Sequence, residues 1–268
     1  MEIQTGFFIS VTHWDVGVSR FLHIQLHNGN MKLHLHLVRH GQTYFNRYNK
    51  LQGWSNSPLT EKGREDARKA GRLLSFTHIA AAYCSDTTRA QDTAQLILEM
   101  NHKKSVKTAT SSRFFREQFY GSFEGTDMAA AWYMAGGPHG ASTYAEIVEK
   151  FGIGATKDFL KEADPFHDAE SEGEFWVRIR EGYRLIANHA RHSEEDPDAA
   201  IHPVHDGDDI LIIAHGNLLL SLMQRFAPEG YDLSERPMNG SITTFDFDTD
   251  KIDDFDHALT LVEYNRTK

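Results

Sequence analysis

The chain has 268 residues, of which 40% are hydrophobic and 25% charged, a composition typical of a folded protein with a sizeable core. Its formal net charge of −10 argues against nucleic acid as a partner, because nucleic-acid-binding proteins usually carry a basic face. No apolar run approaches the length of a membrane span, so no membrane partner is expected. The single cysteine, Cys84, excludes an intrachain disulfide and a cysteine cluster for a metal. No cationic segment precedes the apolar residues 7–9, and we expect a cytoplasmic protein.

Residues 1–30 differ from the rest of the chain because they show no helical period. We assign them as an N-terminal extension that precedes a single domain of residues 31–268. Residues 21–27 and 32–38 both alternate in polarity, and Asn28-Gly29 lies between them. Asn-Gly between two alternating runs is a strong signal for a β-hairpin. The pattern therefore predicts that residues 21–27 pair with the strand that follows.

The rest of the chain alternates between strand and helix patterns. In chain order it predicts a strand at 33–38, a helix at 60–74 capped by Thr60, a strand at 79–84, helices at 87–100 and 172–192, a strand at 210–214, a helix at 217–226, and strands at 242–247 and 259–264. The acidic segments 162–174 and 194–209 are predicted to be surface loops. This alternation predicts a three-layer α/β fold, a doubly wound, mostly parallel sheet with helices on both faces.

Arginine or histidine follows three of the predicted strands directly or within one turn. Arg39 and His40 follow the first strand, Arg89 follows the second, and His215 follows the strand at 210–214. Ligands of open α/β sheets bind at the carboxyl ends of the strands, so these side chains are expected to converge there. Two guanidinium groups and two imidazoles at one point suit a phosphate dianion. Gly41 and Gly216 are expected to allow close approach of the backbone.

The segments that carry these residues also form a longer pattern. It comprises Arg39-His40-Gly41-Gln42-Thr43, Asn46, Gln52-Gly53-Trp54, Ser57-Pro58-Leu59-Thr60, Gly63, Ser85, Arg89-Ala90, Thr93-Ala94, Arg116-Glu117, Gly121, Glu124-Gly125, His215-Gly216-Asn217 and Asn239-Gly240-Ser241. In order and spacing, from Lys32 to about Phe247, this pattern resembles the histidine phosphatase superfamily, in its phosphoglycerate mutase-like branch. The resemblance places the first strand inside the sheet, which leaves no free edge for residues 21–27.

The resemblance implies a role for each matching residue. It implies that His40 is the nucleophile, that Glu117 is the proton donor, and that Arg39, Arg89 and His215 hold the phosphoryl oxygens. Asn46 matches a phosphate-contacting asparagine of the family, with Thr43 and Gln52 as second-rank contacts. Neither a metal nor a cofactor is implied, because the arginines and His215 provide the charge that stabilises the transferring group.

Three functions agree with this pattern. The first is hydrolysis of a small phosphorylated substrate through a phosphohistidine on His40, the second is a cofactor-dependent phosphoglycerate mutase, and the third is an inactive member that only binds a phosphorylated ligand. Mutases of the family carry arginines soon after the glutamate, whereas here no arginine lies between Arg116 and Arg178. This difference favours hydrolysis.

Two further features leave open more than one interpretation. The alternating His34 and His36 could bind a metal, but surface histidines on one strand face are the favoured interpretation, since no cysteine or carboxylate stands at a matching spacing. Trp132 could line a substrate pocket or pack a helix. The sequence carries no indication of the oligomeric state.

Overall fold

The computed structural model describes residues 31–195, 202–231 and 236–268. Six strands form one sheet in the order β3-β2-β4-β1-β5-β6. They are β1 (Lys32–Arg39), β2 (Ile79–Cys84), β3 (Thr110–Ser111), β4 (Asp209–Ala214), β5 (Ile242–Asp248) and β6 (Leu259–Arg266). Strands β1 to β4 pair in parallel, whereas β5 is antiparallel to both β1 and β6. The predicted α/β fold with a mostly parallel sheet is confirmed.

Two hydrophobic clusters cover the two faces of the sheet. In β1, Leu33, Leu35 and Leu37 belong to one cluster, whereas Val38 belongs to the other. This division follows from the strand itself, because successive side chains point to opposite faces. Helices α6 (Glu172–Glu195) and α7 (Gly216–Phe226) pack on the first face, and α2 (Glu61–Leu73) and α3 (Thr88–Glu99) pack on the second. The three layers are as predicted.

Both edges of β1 are occupied in the sheet. It pairs with β4 along residues 34–39 and with β5 along residues 32–38. The predicted partner segment, residues 21–27, lies outside the described residues. The paired edges of β1 agree with the expectation that an interior strand offers no place for a further partner.

Two helices between β3 and α6 were not predicted from the sequence. They are α4 (Met128–Gly136) and α5 (Tyr144–Ala163), which form a third hydrophobic cluster with Leu51, Tyr120 and Phe123. A short helix, α1 (Tyr44–Arg47), was also missed. Helix α5 is broken at Gly152, whose φ of 80° is unfavourable for residues with a Cβ. Within the described ranges, no helix has both the length and the hydropathy needed to cross a bilayer.

Candidate active site

The carboxyl ends of β1, β2 and β4 bring the predicted residues together. Arg39 is the last residue of β1 and pairs with Ala214 at the end of β4, so His40 and His215 both leave the sheet at the same edge. Their ring centroids are 5.2 Å apart. An Nη2 atom of Arg89, from the first turn of α3, lies 3.3 Å from Nδ1 of His215. The convergence expected from the strand ends is therefore observed.

His40 is held in one tautomer by its neighbour. It is 3% exposed, and its Nδ1 lies 2.8 Å from the carbonyl oxygen of Gly41, to which it donates a hydrogen bond. Nε2 consequently carries the lone pair. Burial, followed by the charges of Arg89 and Arg39, lowers the pKa of His40 well below its usual value. The imidazole is therefore neutral and presents a basic nitrogen.

His215 lies fully buried beside His40. Its Nε2 is 3.0 Å from Oγ of Ser85, which in turn lies 2.8 Å from Oγ1 of Thr87. Burial, then the charge of Arg89, lowers the pKa of His215 well below its usual value. When Ser85 donates to Nε2, the proton of His215 is on Nδ1, and Nδ1 can donate to an anion. Ser85 therefore sets the tautomer of His215.

The two arginines are fixed by backbone carbonyl groups. Arg89 donates to the oxygens of Ser55 and Gly53 at 3.0 and 2.6 Å, and Arg39 donates to the oxygen of Pro237 at 2.6 Å. Burial lowers the pKa of each to about 10, so both remain charged at neutral pH. The Nε atom of each is buried without a hydrogen-bond partner among the described residues. Buried donors of this kind are rare and favour an anion.

Glu117 lies at the N-terminus of α7. Its carboxylate accepts hydrogen bonds from the backbone N–H groups of Asn217 at 2.7 Å, Leu218 at 2.9 Å and Gln118 at 3.0 Å. Burial raises the pKa of Glu117, and these N–H groups and Arg89 oppose the shift because they favour the ionised form. The net direction is upward, as a proton donor requires.

These groups surround a small cavity of about 70 Å³. Its lining includes Arg39, His40, Asn46, Gln52, Glu117, Gly216 and Asn217. Asn46 accepts from the backbone N–H of Thr43 through Oδ1, which fixes its amide. Gln52 accepts from Oγ1 of Thr43, and its own Nε2 is buried without a partner among the described residues. Both amides are thus placed to contact an anion in the cavity.

Thr43 does not have the position expected for a substrate contact. It is fully buried, it caps α1, and it is not part of the cavity wall. Its hydroxyl is used by Gln52 and by the N–H of Asn46 at 3.2 Å. The structure therefore places Thr43 behind the site, where it supports the two amides.

Glu124 anchors the loop that holds Arg89. Its Oε1 accepts from the N–H groups of Trp54 at 2.9 Å and Tyr120 at 3.2 Å, and its Oε2 accepts from those of Gly53 and Ser55 at 3.1 Å each. The carbonyl groups of the same loop bind Arg89. The sequence pattern includes Glu124, but no spacing in the chain indicates that it acts on Arg89.

Arg178, from α6, anchors the segment that carries Glu117. It forms a buried ion pair with Glu170 at 2.7 Å and donates to the carbonyl oxygens of Phe114 at 3.0 Å, Arg116 at 2.9 Å and Glu117 at 3.2 Å. Sequence reasoning treated Arg178 only as the next arginine after Arg116. Its contacts show that it holds the backbone of Glu117 in place.

Two cations in the cavity wall come from segments that the sequence did not connect with the site. They are Lys50, from the loop after α1, and Arg236, which precedes β5. The guanidinium of Arg236 lies over the ring of Tyr144, 4.4 Å from its centroid, and 3.3 Å from Oδ1 of Asn217. By contrast, Lys157 is fully buried and paired with Glu172 at 2.8 Å.

The paired histidines of β1 are each bound to a carboxylate. Nδ1 of His34 lies 2.7 Å from Asp246, and Nε2 of His36 lies 2.6 Å from Asp209. Among the residues that the structure describes, no group of three or more histidine, cysteine or acidic side chains is placed to hold a metal ion. The contacts of His34 and His36 are those of surface ion pairs.

The sequence and the fold are both similar to known proteins. The family model of the histidine phosphatase superfamily (branch 1) matches residues 35–253. A 2,3-bisphosphoglycerate-dependent phosphoglycerate mutase from Novosphingobium aromaticivorans is 29% identical over 203 residues, 71% of this chain and 82% of that protein. A protein named 2,3-bisphosphoglycerate-dependent phosphoglycerate mutase 2, from Gloeobacter violaceus, is 42% identical over 93 residues, 35% of this chain and only 42% of that protein.

Solved structures agree with this assignment. A phosphoglycerate mutase from Bacillus anthracis str. Sterne superposes with a TM-score of 0.72 at 28% identity, covering 89% of this chain and 95% of that one. The α-ribazole phosphatase from Shigella flexneri shares the fold, with a TM-score of 0.53 at 22% identity and coverage of 88% and 97%. The chain belongs to the histidine phosphatase superfamily, whose enzymes include both mutases and phosphatases.

Proposed function

We propose that this chain is a phosphomonoester hydrolase that works through a phosphohistidine on Nε2 of His40. The main support is the state of the His40 imidazole, whose Nδ1 is bound to Gly41 and whose pKa is lowered beside Arg39 and Arg89. A neutral imidazole with an available lone pair in a cationic pocket is a suitable nucleophile for phosphorus.

The reaction balances over two steps with His40 and Glu117. In the first, Nε2 bonds to phosphorus while the ester P–O bond breaks, and the departing alkoxide takes the proton of Glu117. In the second, the Glu117 carboxylate takes a proton from water, the water oxygen bonds to phosphorus, and the P–N bond breaks with its electron pair returning to Nε2. The raised pKa of Glu117 increases the fraction of the acid form that the first step uses.

Side chains supply the positive charge that this reaction needs. Arg39 and Arg89 remain charged, and their fixed positions allow them to stabilise the equatorial oxygens of the transferring group. In this proposal His215 adds a donor through Nδ1, and Asn46 and Gln52 bind the remaining oxygens. The proposed enzyme therefore works without a metal or a cofactor.

A phosphoglycerate mutase is the second candidate, supported by the names of the relatives above. Hydrolysis is favoured because much of the cavity wall beside the phosphoryl site is apolar, formed by Leu51, Met128, Trp132 and Leu220. A second phosphate buried against such side chains would lose hydration without compensation. An inactive, ligand-binding member is the third candidate, and the complete set of His40, Glu117 and the two arginines argues against it.

The test compares two reactions of the same preparation. Release of inorganic phosphate is measured from a panel of phosphorylated metabolites, beside interconversion of 3- and 2-phosphoglycerate with the bisphosphorylated primer. We expect phosphate release to be the faster reaction. Interconversion that greatly outruns phosphate release would establish the mutase, and the absence of both would establish the inactive member.

A further inference from the structure

A second, larger cavity adjoins the phosphoryl site. This leaving-group cleft has a volume of about 710 Å³ and is lined by Thr143, Tyr144, Ala145, Val148, Glu149, Ile153, Leu220, Gln224 and Arg236. Leu220 and Arg236 belong to the walls of both cavities, so the two spaces meet at these side chains. A cavity of this size is within the usual range for small-molecule sites.

The cleft is formed by one face of α7 and the first half of α5. On α7, Asn217 and Leu220 line the phosphoryl site, and Leu220 and Gln224 line the cleft, at the spacing of one helix face. At 1.5 Å per residue, Gln224 lies roughly 10 Å along the axis from Asn217. Gln224 accepts from the N–H of Ile153 at 2.9 Å, just after the break at Gly152, and this bond closes the far end.

Side chains at the junction of the two cavities combine apolar surface with unused donors. Trp132 is 3% exposed, lines the phosphoryl site, and packs edge-on against Tyr144 with ring centroids 5.0 Å apart. Its Nε1 has no hydrogen-bond partner among the described residues. A buried indole N–H usually finds a partner, so this one is placed to serve an acceptor on a bound molecule.

We infer that the natural substrate is a phosphomonoester whose alcohol carries an extended apolar body, and that this body lies in the leaving-group cleft. This inference rests on the proposed function at His40. The ester oxygen lies near Glu117 and Trp132, and the chain beyond it passes Leu220 and Arg236 to reach Val148. Arg236, held over Tyr144, faces any polar group that connects the phosphoryl group to the apolar body.

The test uses primary alkyl phosphates, whose leaving groups differ little in chemical reactivity. The full chain is assayed with ethyl, butyl and octyl phosphate by phosphate release. Each methylene that becomes fully buried is worth about fourfold in affinity, so we expect kcat/KM to rise on the order of tenfold from ethyl to butyl phosphate. A flat series in an enzyme that hydrolyses ethyl phosphate overturns the cleft and leaves the proposed function standing.

Two tryptophan variants locate the effect. Ala145 is exposed and lines the cleft, whereas Ala130 is exposed on α4 and lines neither cavity. We expect Ala145→Trp to remove the gain from ethyl to octyl phosphate while kcat/KM for ethyl phosphate stays within about twofold, because an indole excludes the chain from the cleft but does not reach His40. Ala130→Trp should keep the full gain. An unchanged series in Ala145→Trp overturns the placement.

A binding measurement separates the cleft from the reaction. Calorimetry with ethylphosphonate and octylphosphonate, which cannot be hydrolysed, needs no turnover. Tighter binding of octylphosphonate to the native chain, lost in Ala145→Trp, supports the cleft even if no phosphate ester is hydrolysed, in which case the proposed function alone fails. Equal affinity for both phosphonates, or binding of neither, overturns the cleft.

Discussion

Replacement of Glu124 by glutamine tests whether the loop at residues 52–55 sets the position of Arg89. Each carboxylate oxygen accepts from two backbone N–H groups, so the new amide nitrogen leaves at least two of them without an acceptor. Hydrogen bonds to a charged group are worth about 1.5–3 kcal/mol each, which gives roughly 3–6 kcal/mol for two. Because Glu124 is partly exposed, water replaces some of this, and we expect a loss of about 2–3 kcal/mol in the free energy of unfolding. A typical domain remains folded after such a loss.

The effect on activity follows from the carbonyl groups of the same loop. They hold both Nη atoms of Arg89, so a disordered loop weakens the grip of the guanidinium on the transferring oxygens. Complete removal of a transition-state donor typically costs about 10²–10³ in kcat, and displacement should cost less, roughly 10- to 100-fold. Urea unfolding and steady-state phosphate release measure the two effects separately.

Matched controls separate positioning from general destabilisation. Glu99 is exposed on α3, the helix that carries Arg89, and Glu99→Gln should change neither quantity. Ser55→Ala removes only the hydroxyl contact of Glu124 and keeps every backbone N–H, so a small loss of kcat is expected. A Glu124→Gln variant that loses stability but keeps kcat within about twofold would refute the link between the loop and Arg89.

Four further predictions concern the mechanism and the domain. His40→Ala should abolish turnover and keep the fold, and rapid quenching of the native enzyme with labelled substrate, without acid, should trap the label on His40; label on His215 would contradict the assignment. Dialysis against EDTA should leave activity unchanged, because arginine side chains supply the charge in the proposed reaction; a loss restored by one divalent ion would contradict it. A chain that begins at Met31 should fold and retain activity, since every proposed site residue follows it; an insoluble or inactive product would show that residues 1–30 are required. The folded-state pKa values of His40 and His215 lie below their usual 6.5, so below pH 6.5 the unfolded chain binds more protons and the free energy of unfolding should fall as the pH drops; in His40→Gln this fall, measured by urea unfolding, should be smaller, and an equal fall would refute the assignment of the acid effect to His40.

The sheet could be predicted from the sequence because its strands are short apolar runs with clear ends. Residues 79–84 are predicted and observed with the same bounds, and the strand at 210–214 differs by one residue. The same pattern indicated the site, because residues that follow parallel strands leave the sheet at one edge. His40, Arg89 and His215 could therefore be grouped without any knowledge of their contacts.

The region between β3 and α6 could not be predicted in the same way. Helix α4 is rich in alanine and has no clear polar face, and Gly152 interrupts the period of α5, so neither segment has the pattern of an amphipathic helix. These two helices provide Trp132 and Val148, one in the wall of the phosphoryl site and the other in the wall of the cleft. The part of the pocket that selects the substrate is thus the part with the weakest sequence signal.

Positive charge reaches the pocket from segments that are far apart in the chain. Lys50 and Arg236 both line the cavity, although neither lies between Arg116 and Arg178, where the sequence lacks arginine. The gap in that segment therefore does not establish that the substrate carries little charge. What distinguishes hydrolysis from phosphoryl return is the polarity of the remaining wall, since a mutase must hold a second phosphate and exclude water from the phosphohistidine. With Met128, Trp132 and Leu220 in that wall, two cations can bind one more polar group, but the surface beyond them favours an apolar chain over a second dianion.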